Sequence, residues 1–134
     1  MIQSYKKGVK IRLSDNFFST EFDCHCSNCK ETLINDELVL LLEEIRKEIN
    51  TPIKITSGYR CEEHQKQIYE GQSNTIQTSQ HVLGNAADIV ATAWRGSELL
   101  DVAKKVGFIC VGVGHRFIHV DLRKDKERLW FYDY

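Results

Sequence analysis

The sequence predicts one small domain that mixes α-helices and β-strands. Its 134 residues suit a single domain with a hydrophobic core of its own. Two segments carry apolar residues at helical spacing, and several others show the short apolar or alternating pattern of strands. Because no repeat or linker interrupts the chain, we expect residues 1–134 to form one unit.

The first half of the chain contains one strongly predicted helix. In NDELVLLLEEIRKEIN, leucine and isoleucine recur at helical spacing, and Asn35 or Asp36 can cap the N-terminal end. Before it, VKIRLS is predicted as a short strand and SDNFFSTEF as a polar loop with aromatic anchors. The helix therefore supplies the first large apolar face of the core.

The second half alternates strands with two further helices. TPIKITS is predicted as a strand, and CEEHQKQIYEG as a short helix that ends at Gly71. RGSELLDVAKKVGF is predicted as a helix with Ser97 as its cap. Three other segments are predicted as strands: NAADIVA, FICVGVG and FIHVDLR.

The charge balance and hydropathy pattern argue against nucleic-acid and membrane partners. Eighteen basic residues face 19 acidic ones, and no apolar run approaches the roughly 20 residues of a membrane span. The N-terminal segment lacks the apolar stretch of a secretory signal. We therefore expect a protein that is made in the cytoplasm and reaches any target outside it by cell lysis or a partner secretion system. We also expect it to be a monomer.

The segment SQHVLGNAADIV places His81 seven residues before Asp88, at the mouth of an apolar run. A buried carboxylate is costly unless it is paired, and a bend at Gly84 can return Asp88 toward the histidine ring. A loop histidine and a capping aspartate explain the pattern equally well. By itself, this segment is a weak indication of a metal site.

The segment FIHVDLR strengthens the metal hypothesis. In a strand, alternation places His119 and Asp121 on one face and the aliphatic residues on the other. Together with His81 and Asp88, His119 completes two imidazoles and a carboxylate, a plausible catalytic zinc set with one position left for water. Zinc lowers the pKa of water to about 7 and polarises carbonyls, and amide hydrolysis needs both effects.

Arg60, in SGYR, is expected where a strand meets a helix. Its guanidinium can hold a substrate carboxylate, stabilise an oxyanion or form a structural salt bridge.

Four cysteines form a second candidate group, and its chemistry stays open at the level of sequence. CHCSNC contains Cys24, Cys26 and Cys29. Cys61 can complete a tetrahedral zinc site, and His25 or His64 can substitute for it as the fourth ligand. A disulfide and free thiols are equally compatible with the spacing, although the odd total of five cysteines excludes complete intramolecular pairing.

Three ordered motifs carry a family resemblance. ITSGYRCEEH, SQHVLGNAADI and FIHVDLR resemble the zinc D-Ala-D-Ala carboxypeptidase family of peptidoglycan peptidases, peptidase family M15, which is related to lysostaphin-type enzymes and the hedgehog domain. The resemblance implies a small α+β domain, with an antiparallel sheet as the floor of a zinc cleft and flanking helices. It also implies hydrolysis of peptidoglycan stem peptides, as carboxypeptidase or endopeptidase. Many small members of this family are phage or prophage lysins.

The resemblance also assigns roles to individual residues. It implies that one Zn²⁺ is held by His81, Asp88 and His119. The spacing of the cysteines, and not the resemblance, suggests a second, structural zinc. Arg60 occupies the position of a substrate-binding arginine, and Ser79 lies beside the first ligand, where it can contact substrate.

One position departs from the family pattern. Arg116 stands three residues before His119, where many members carry the acidic general base. The nearest candidates for that role are Asp121, which can instead orient a ligand, and His115. This departure keeps open an alternative function, a non-catalytic zinc-stabilised module that binds peptidoglycan or peptide.

Overall fold

Two paired strands at the N terminus lead into the first helix. In the computed structural model, which describes residues 1–68 and 79–134, β1 (Ile2–Lys6) pairs antiparallel with β2 (Glu31–Asn35). The predicted strand at residues 9–14 is wrong, because this stretch makes one isolated bridge, between Arg12 and Phe18. Leu13 of this stretch packs against the core, but Ile11 remains 44 % exposed.

The first long helix, α1, spans Asp36–Ile49 and confirms the helical periodicity of the sequence. Of the two candidate caps, Asn35 fills the position: its side-chain oxygen accepts the backbone N–H of Glu37 at 3.0 Å. The helix ends where Asn50 adopts a left-handed conformation with φ of 48°. Its buried face consists of Leu38, Val39, Leu42, Ile45 and Ile49.

Five strands form the main sheet, in the order β3-β4-β6-β5-β7. They are β3 (Ile53–Ser57), β4 (Ala86–Ala91), β5 (Cys110–Val113), β6 (Ile118–Asp121) and β7 (Arg128–Phe131). The first four pair antiparallel, which confirms the predicted sheet. The edge strand β7 pairs parallel with β5, and no strand was predicted there.

Two further helices accompany the sheet. The short α2 spans Glu62–Ile68, and its predicted end lies outside the described residues. The second long helix, α3, spans Gly96–Val106. The prediction of Ser97 as its cap is wrong, because Ser97 is the second residue of the helix and Arg95 occupies the cap position. Instead, the Glu98 carboxylate accepts the backbone N–H of Arg95 at 2.9 Å and closes the first turn.

The core joins α1 and α3 to the apolar side chains of the sheet. Residues with 1 % exposure or less include Leu42, Ile45, Ile89, Leu99, Ile118 and Val120. Since Ile118 and Val120 of β6 enter the core, His119 and Asp121 must point to the opposite face. The fold is the predicted small α+β domain. In the parts of the chain that are described, no helix combines the length and hydropathy needed to cross a membrane.

Candidate metal centre and active-site cleft

Three side chains with ligand chemistry converge on one face of the main sheet. One donor atom each from His81, Asp88 and His119 lies within 4.8 Å of the other two. The Asp88 Oδ1 atom is 3.4 Å from His81 Nε2 and 2.9 Å from His119 Nδ1. Such separations allow all three atoms to bond one ion at about 2 Å. The structure therefore brings together the three residues that the sequence proposes as ligands.

Strand register places two of these ligands side by side. Asp88 of β4 lies directly opposite His119 of β6 in the antiparallel pair. Directly opposed residues project from the same face of a sheet, with Cβ atoms roughly 5 Å apart. The pairing of β4 with β6 thus builds half of the site from residues 31 positions apart in sequence.

A tight bend brings the third ligand to the same place. Gly84 has φ of +79°, and a Cβ there would lie 2.7 Å from the backbone oxygen of Leu33. Backbone hydrogen bonds close the turn, from Gly84 N–H to the His81 carbonyl and from Asn85 N–H to the Gln80 carbonyl. Only glycine suits this conformation and close approach, so the predicted bend at Gly84 is confirmed.

Each histidine ring is fixed through the nitrogen that faces away from Asp88. His81 Nδ1 donates to the Gly58 carbonyl at 2.7 Å, because a carbonyl oxygen only accepts. His119 Nε2 lies 2.8 Å from Asp121 Oδ2. This is the usual support of metal-binding histidines, in which an outer acceptor fixes the tautomer and ring orientation. The donor set and its support therefore fit a divalent metal ion such as zinc.

Both carboxylate oxygens of Asp121 have hydrogen-bond partners, and Asp121 lies on the side of the His119 ring that faces away from Asp88. Its side chain has 0 % exposure, and Arg123 donates to both of its oxygens at 2.9 Å. Burial would raise the pKa of Asp121, but hydrogen bonds from His119 and Arg123 outweigh it and lower the pKa to about 2. Of the two roles left open by the sequence, this geometry favours the orientation of a ligand over proton transfer.

The electrostatics of the ligands favour a cation between them. Burial lowers the pKa of His81. Burial opposes ionisation of Asp88, but hydrogen bonds from His119 and His81 prevail and lower its pKa. Burial likewise opposes protonation of His119, yet its hydrogen bonds to Asp121 and Asp88 raise its pKa. The two carboxylates therefore favour positive charge at this point, which a proton or a metal ion can supply.

Arg60 lies at the edge of the metal centre, and its side chain is 14 % exposed. Its Nη2 atom is 3.5 Å from Asp88 Oδ2, and its Nε donates to Ser57 Oγ at 3.0 Å. Nη1 makes a longer contact to Gln65 Oε1 at 3.4 Å. These contacts hold the guanidinium beside the ligands, where a substrate carboxylate or a developing oxyanion can reach it.

The ligands and Arg60 line a cleft of about 250 Å³. Ser79 also lines it, as the sequence suggests for a substrate contact. His115 is exposed in the turn between β5 and β6 and lies outside the described residues that line the cleft. The structure therefore gives no support to His115 as the proton-transfer residue.

An aromatic wall of the cleft, made of Phe117, Trp130, Tyr132 and Tyr134, was not predicted. The rings contact one another at centroid distances of 5.2–6.4 Å, and Trp130 lies 5.3 Å from the His119 ring. Gly112, opposite Trp130, has no side chain to block the indole; a Cβ there would lie 2.5 Å from its Nε1. The alternation of aromatic residues in LWFYDY is the signal that would have predicted this wall.

Replacement of Asp121 by asparagine is expected to weaken the binding of a divalent ion such as zinc about 10- to 100-fold, because the carboxylate that orients His119 loses its charge. Competition with a chromogenic chelator measures this affinity. Asp125→Asn is the matched control, since Asp125 also pairs with an arginine, Arg128, but is 64 % exposed. Unchanged zinc affinity combined with a large loss of turnover would contradict the orienting role and favour proton transfer by Asp121.

The four cysteines also converge, at a separate place. The Sγ atoms of Cys24, Cys26, Cys29 and Cys61 lie within 4.8 Å of one another. All five cysteines of the chain are free thiols. Within the group of four, the shortest Sγ–Sγ distance is 3.3 Å, between Cys26 and Cys29. A disulfide bond would need about 2.05 Å. The disulfide alternative is therefore not what the structure contains.

Comparisons with known proteins identify a family and a similar fold. The family model described as Peptidase M15 matches residues 15–121. No curated protein gave a match. Among solved structures, the chain is similar to the L-Ala D-Glu endopeptidase ChiX of Serratia marcescens, with a TM-score of 0.54 and 21 % sequence identity. The alignment covers 67 % of this chain and 80 % of that one. At this identity the likeness concerns the fold.

Proposed function

The chain belongs to the M15 peptidase family, and we propose that it is a zinc-dependent hydrolase of peptide bonds in bacterial peptidoglycan. The convergence of His81, Asp88 and His119 in a cleft carries this proposal. Two imidazoles and a carboxylate suit a catalytic zinc that keeps one coordination position open. The name of the similar Serratia enzyme, an L-Ala D-Glu endopeptidase, supports a peptidoglycan peptide as substrate.

Different residues of the cleft have different roles in amide hydrolysis. Zinc, when bound, supplies a Lewis acid and lowers the pKa of water to about 7. His81, Asp88 and His119 would hold the ion, and Asp121 fixes the ring of His119. Arg60 would bind a substrate carboxylate or stabilise the negative charge that develops on the scissile carbonyl oxygen.

The shape of the cleft suits a short peptide. The polar ligands and Arg60 line the cleft together with the aromatic wall, which includes Trp130 and Tyr132. Ring faces can pack against the small apolar side chains of a stem peptide, while Arg60 pairs with one of its carboxylates. This combination of polar and aromatic lining residues supports a substrate that is both acidic and partly apolar.

The place of action and the bond cleaved are further parts of the proposal. We propose that the protein acts on the cell wall as a phage or prophage endolysin, the setting of many small members of the family that the motifs resemble. Carboxypeptidase and endopeptidase activities use the same ligands. The products distinguish the two, because a carboxypeptidase releases free D-alanine and an endopeptidase cuts within the stem or its cross-link.

Digestion of purified peptidoglycan tests this function. We expect mass spectrometry to detect D-alanine or cleaved stem peptides, with activity abolished by a chelator and restored by added zinc. The chelated protein also needs a thermal unfolding measurement, so that loss of the fold is not mistaken for loss of the catalytic ion. Peptide release that chelation leaves unchanged would refute a zinc-dependent mechanism.

A second candidate function, a binding module, rests on one specific observation. Of the described residues that line the cleft, two are carboxylates, Asp88 and Asp121, and both are paired. Arg116, at the position of the usual base, is exposed. If this is a binding module, calorimetry will find a tight complex with stem peptides while prolonged digestion yields no products.

A further inference from the structure

We propose that Cys24, Cys26, Cys29 and Cys61 bind a structural zinc ion that tethers an N-terminal loop to the segment carrying Arg60. This site is distinct from the cleft. It does not depend on peptidase activity, because its evidence is the geometry of the four sulfurs and their surroundings.

The sulfur positions match a tetrahedral zinc site. The measured Sγ–Sγ distances are 3.3 Å for Cys26–Cys29, 3.5 Å for Cys24–Cys26, 3.6 Å for Cys26–Cys61 and 3.9 Å for Cys24–Cys61. Four sulfurs at bonds of about 2.3 Å around one zinc have edges of about 3.8 Å. The observed distances range from 3.3 to 3.9 Å, which includes the value for a zinc site. All four sulfurs lie within 4.8 Å of one another. One ion can therefore bond all four with small adjustments.

Donors around the sulfurs suit a cluster of thiolates. The backbone N–H of Cys61 lies 3.5 Å from Cys24 Sγ, and that of His64 lies 3.4 Å from Cys61 Sγ. The Lys7 ammonium is 3.4 Å from Cys29 Sγ and 3.8 Å from that of Cys26. A divalent ion with four thiolates has an excess of two negative charges, which a nearby cation and N–H donors offset.

The arrangement of the chain also fits a tether. Three of the cysteines lie in the loop that follows Phe22, and Cys61 comes directly before α2. Beyond the sulfurs, these segments also meet through a backbone hydrogen bond from Tyr59 N–H to the Phe22 carbonyl at 2.9 Å. A zinc ion would add four bonds at this junction, and such bonds contribute directly to the stability of small domains.

The tether adjoins two contacts of the catalytic cleft. Arg60, next to Cys61, reaches Asp88, and the Gly58 carbonyl accepts from the His81 ring. Both contacts belong to the segment that the proposed zinc would hold. We therefore assign the cysteine site a positioning role: it would keep this segment at a constant distance from the sheet without contacting substrate.

Metal analysis of the intact protein tests the site. We expect about two zinc ions per chain, and X-ray absorption at the zinc edge should contain a sulfur shell near 2.3 Å. Cobalt substitution should produce the intense thiolate-to-metal absorption of a sulfur-rich site. Both measurements use the wild-type protein, so they remain decisive even if a cysteine variant does not fold.

Variants separate the two sites. Cys26→Ser should lose one zinc and the cobalt–thiolate absorption, whereas His81→Ala should lose one zinc and keep that absorption. Cys110→Ala is the matched control, because it removes a thiol outside the cluster, and it should keep both zinc ions. If purified peptidoglycan is not digested but these metal measurements give the expected results, the proposed function is refuted and the cysteine site is supported.

The positioning role has its own readout. With the cleft zinc retained, Cys26→Ser should lower kcat/KM and the temperature of unfolding together, and Cys110→Ala should not lower kcat/KM. The site would be overturned by a zinc absorption spectrum without a sulfur shell. It would equally be overturned if all four thiols reacted with a thiol reagent at the same rate before and after chelation, or if peptide mapping found a disulfide among them.

Discussion

Replacing His81 with alanine is expected to remove the zinc of the cleft and to lower peptide hydrolysis by on the order of 10³-fold or more. His81 is one of three converging ligands and is 4 % exposed, with its outer nitrogen fixed by the Gly58 carbonyl. Metal polarisation contributes several kcal/mol to hydrolysis, and each 1.4 kcal/mol corresponds to a tenfold change in rate. Zinc content by mass spectrometry and initial rates on stem peptides measure both effects.

His115→Ala is the matched comparison for this variant. His115 is exposed and lies outside the described lining of the cleft, so its removal should leave zinc content and rate close to wild type. A His81→Ala protein that keeps its fold, by circular dichroism and thermal unfolding, and hydrolyses at the normal rate would contradict the metal centre. Loss of activity in His115→Ala with zinc retained would instead support His115 as the proton-transfer residue.

Replacing Arg60 with lysine is expected to lower kcat/KM by about 10²-fold. Lysine keeps the charge, but it cannot span Ser57, Gln65 and a substrate group with a planar fork of donors. Loss of a donor that stabilises developing negative charge typically costs about 10²- to 10³-fold in rate. Arg116→Lys, at an exposed arginine, is the control and should behave like the wild type.

Substrate pairs distinguish the two roles proposed for Arg60. If the guanidinium binds a carboxylate, the wild type should discriminate strongly against a stem peptide whose terminal carboxylate is amidated, and Arg60→Lys should discriminate less. If Arg60 instead stabilises the oxyanion, both peptides should lose kcat equally in the variant, with KM little changed. Equal kinetics of variant and wild type on both peptides would exclude Arg60 from either role.

Local patterns predicted the elements that build the site. The apolar stripe and the candidate caps located α1, whose buried face and Asn35 cap the structure confirms. Alternation in FIHVDLR placed His119 and Asp121 on one face of β6, and Gly84 marked the bend beside His81. These features depend on neighbours within a few residues, for which helical and strand periodicities are reliable guides.

Errors and omissions arose where distant segments decide the structure. VKIRLS has a strand pattern, but within residues 1–68 and 79–134 it makes only an isolated bridge. Ser97 has the side chain of a cap, but it lies inside α3, whose first residue is Gly96. The edge strand β7 was missed because it exists through its parallel pairing with β5. Without that strand, the sequence also does not predict the aromatic wall around Trp130, although these residues line the cleft.

The sequence by itself determined the fold class, the peptidase family and the chemical types of the candidate ligands, because ordered motifs and periodicity depend only on the order of residues along the chain. Only the tertiary structure decided how these residues are used. It set Asp88 opposite His119, engaged both oxygens of Asp121 with His119 and Arg123, and gathered four cysteine sulfurs within 4.8 Å. The physical reason is that a side chain's protonation and ligand geometry depend on neighbours in space, which strand pairing and loop closure supply from distant parts of the sequence.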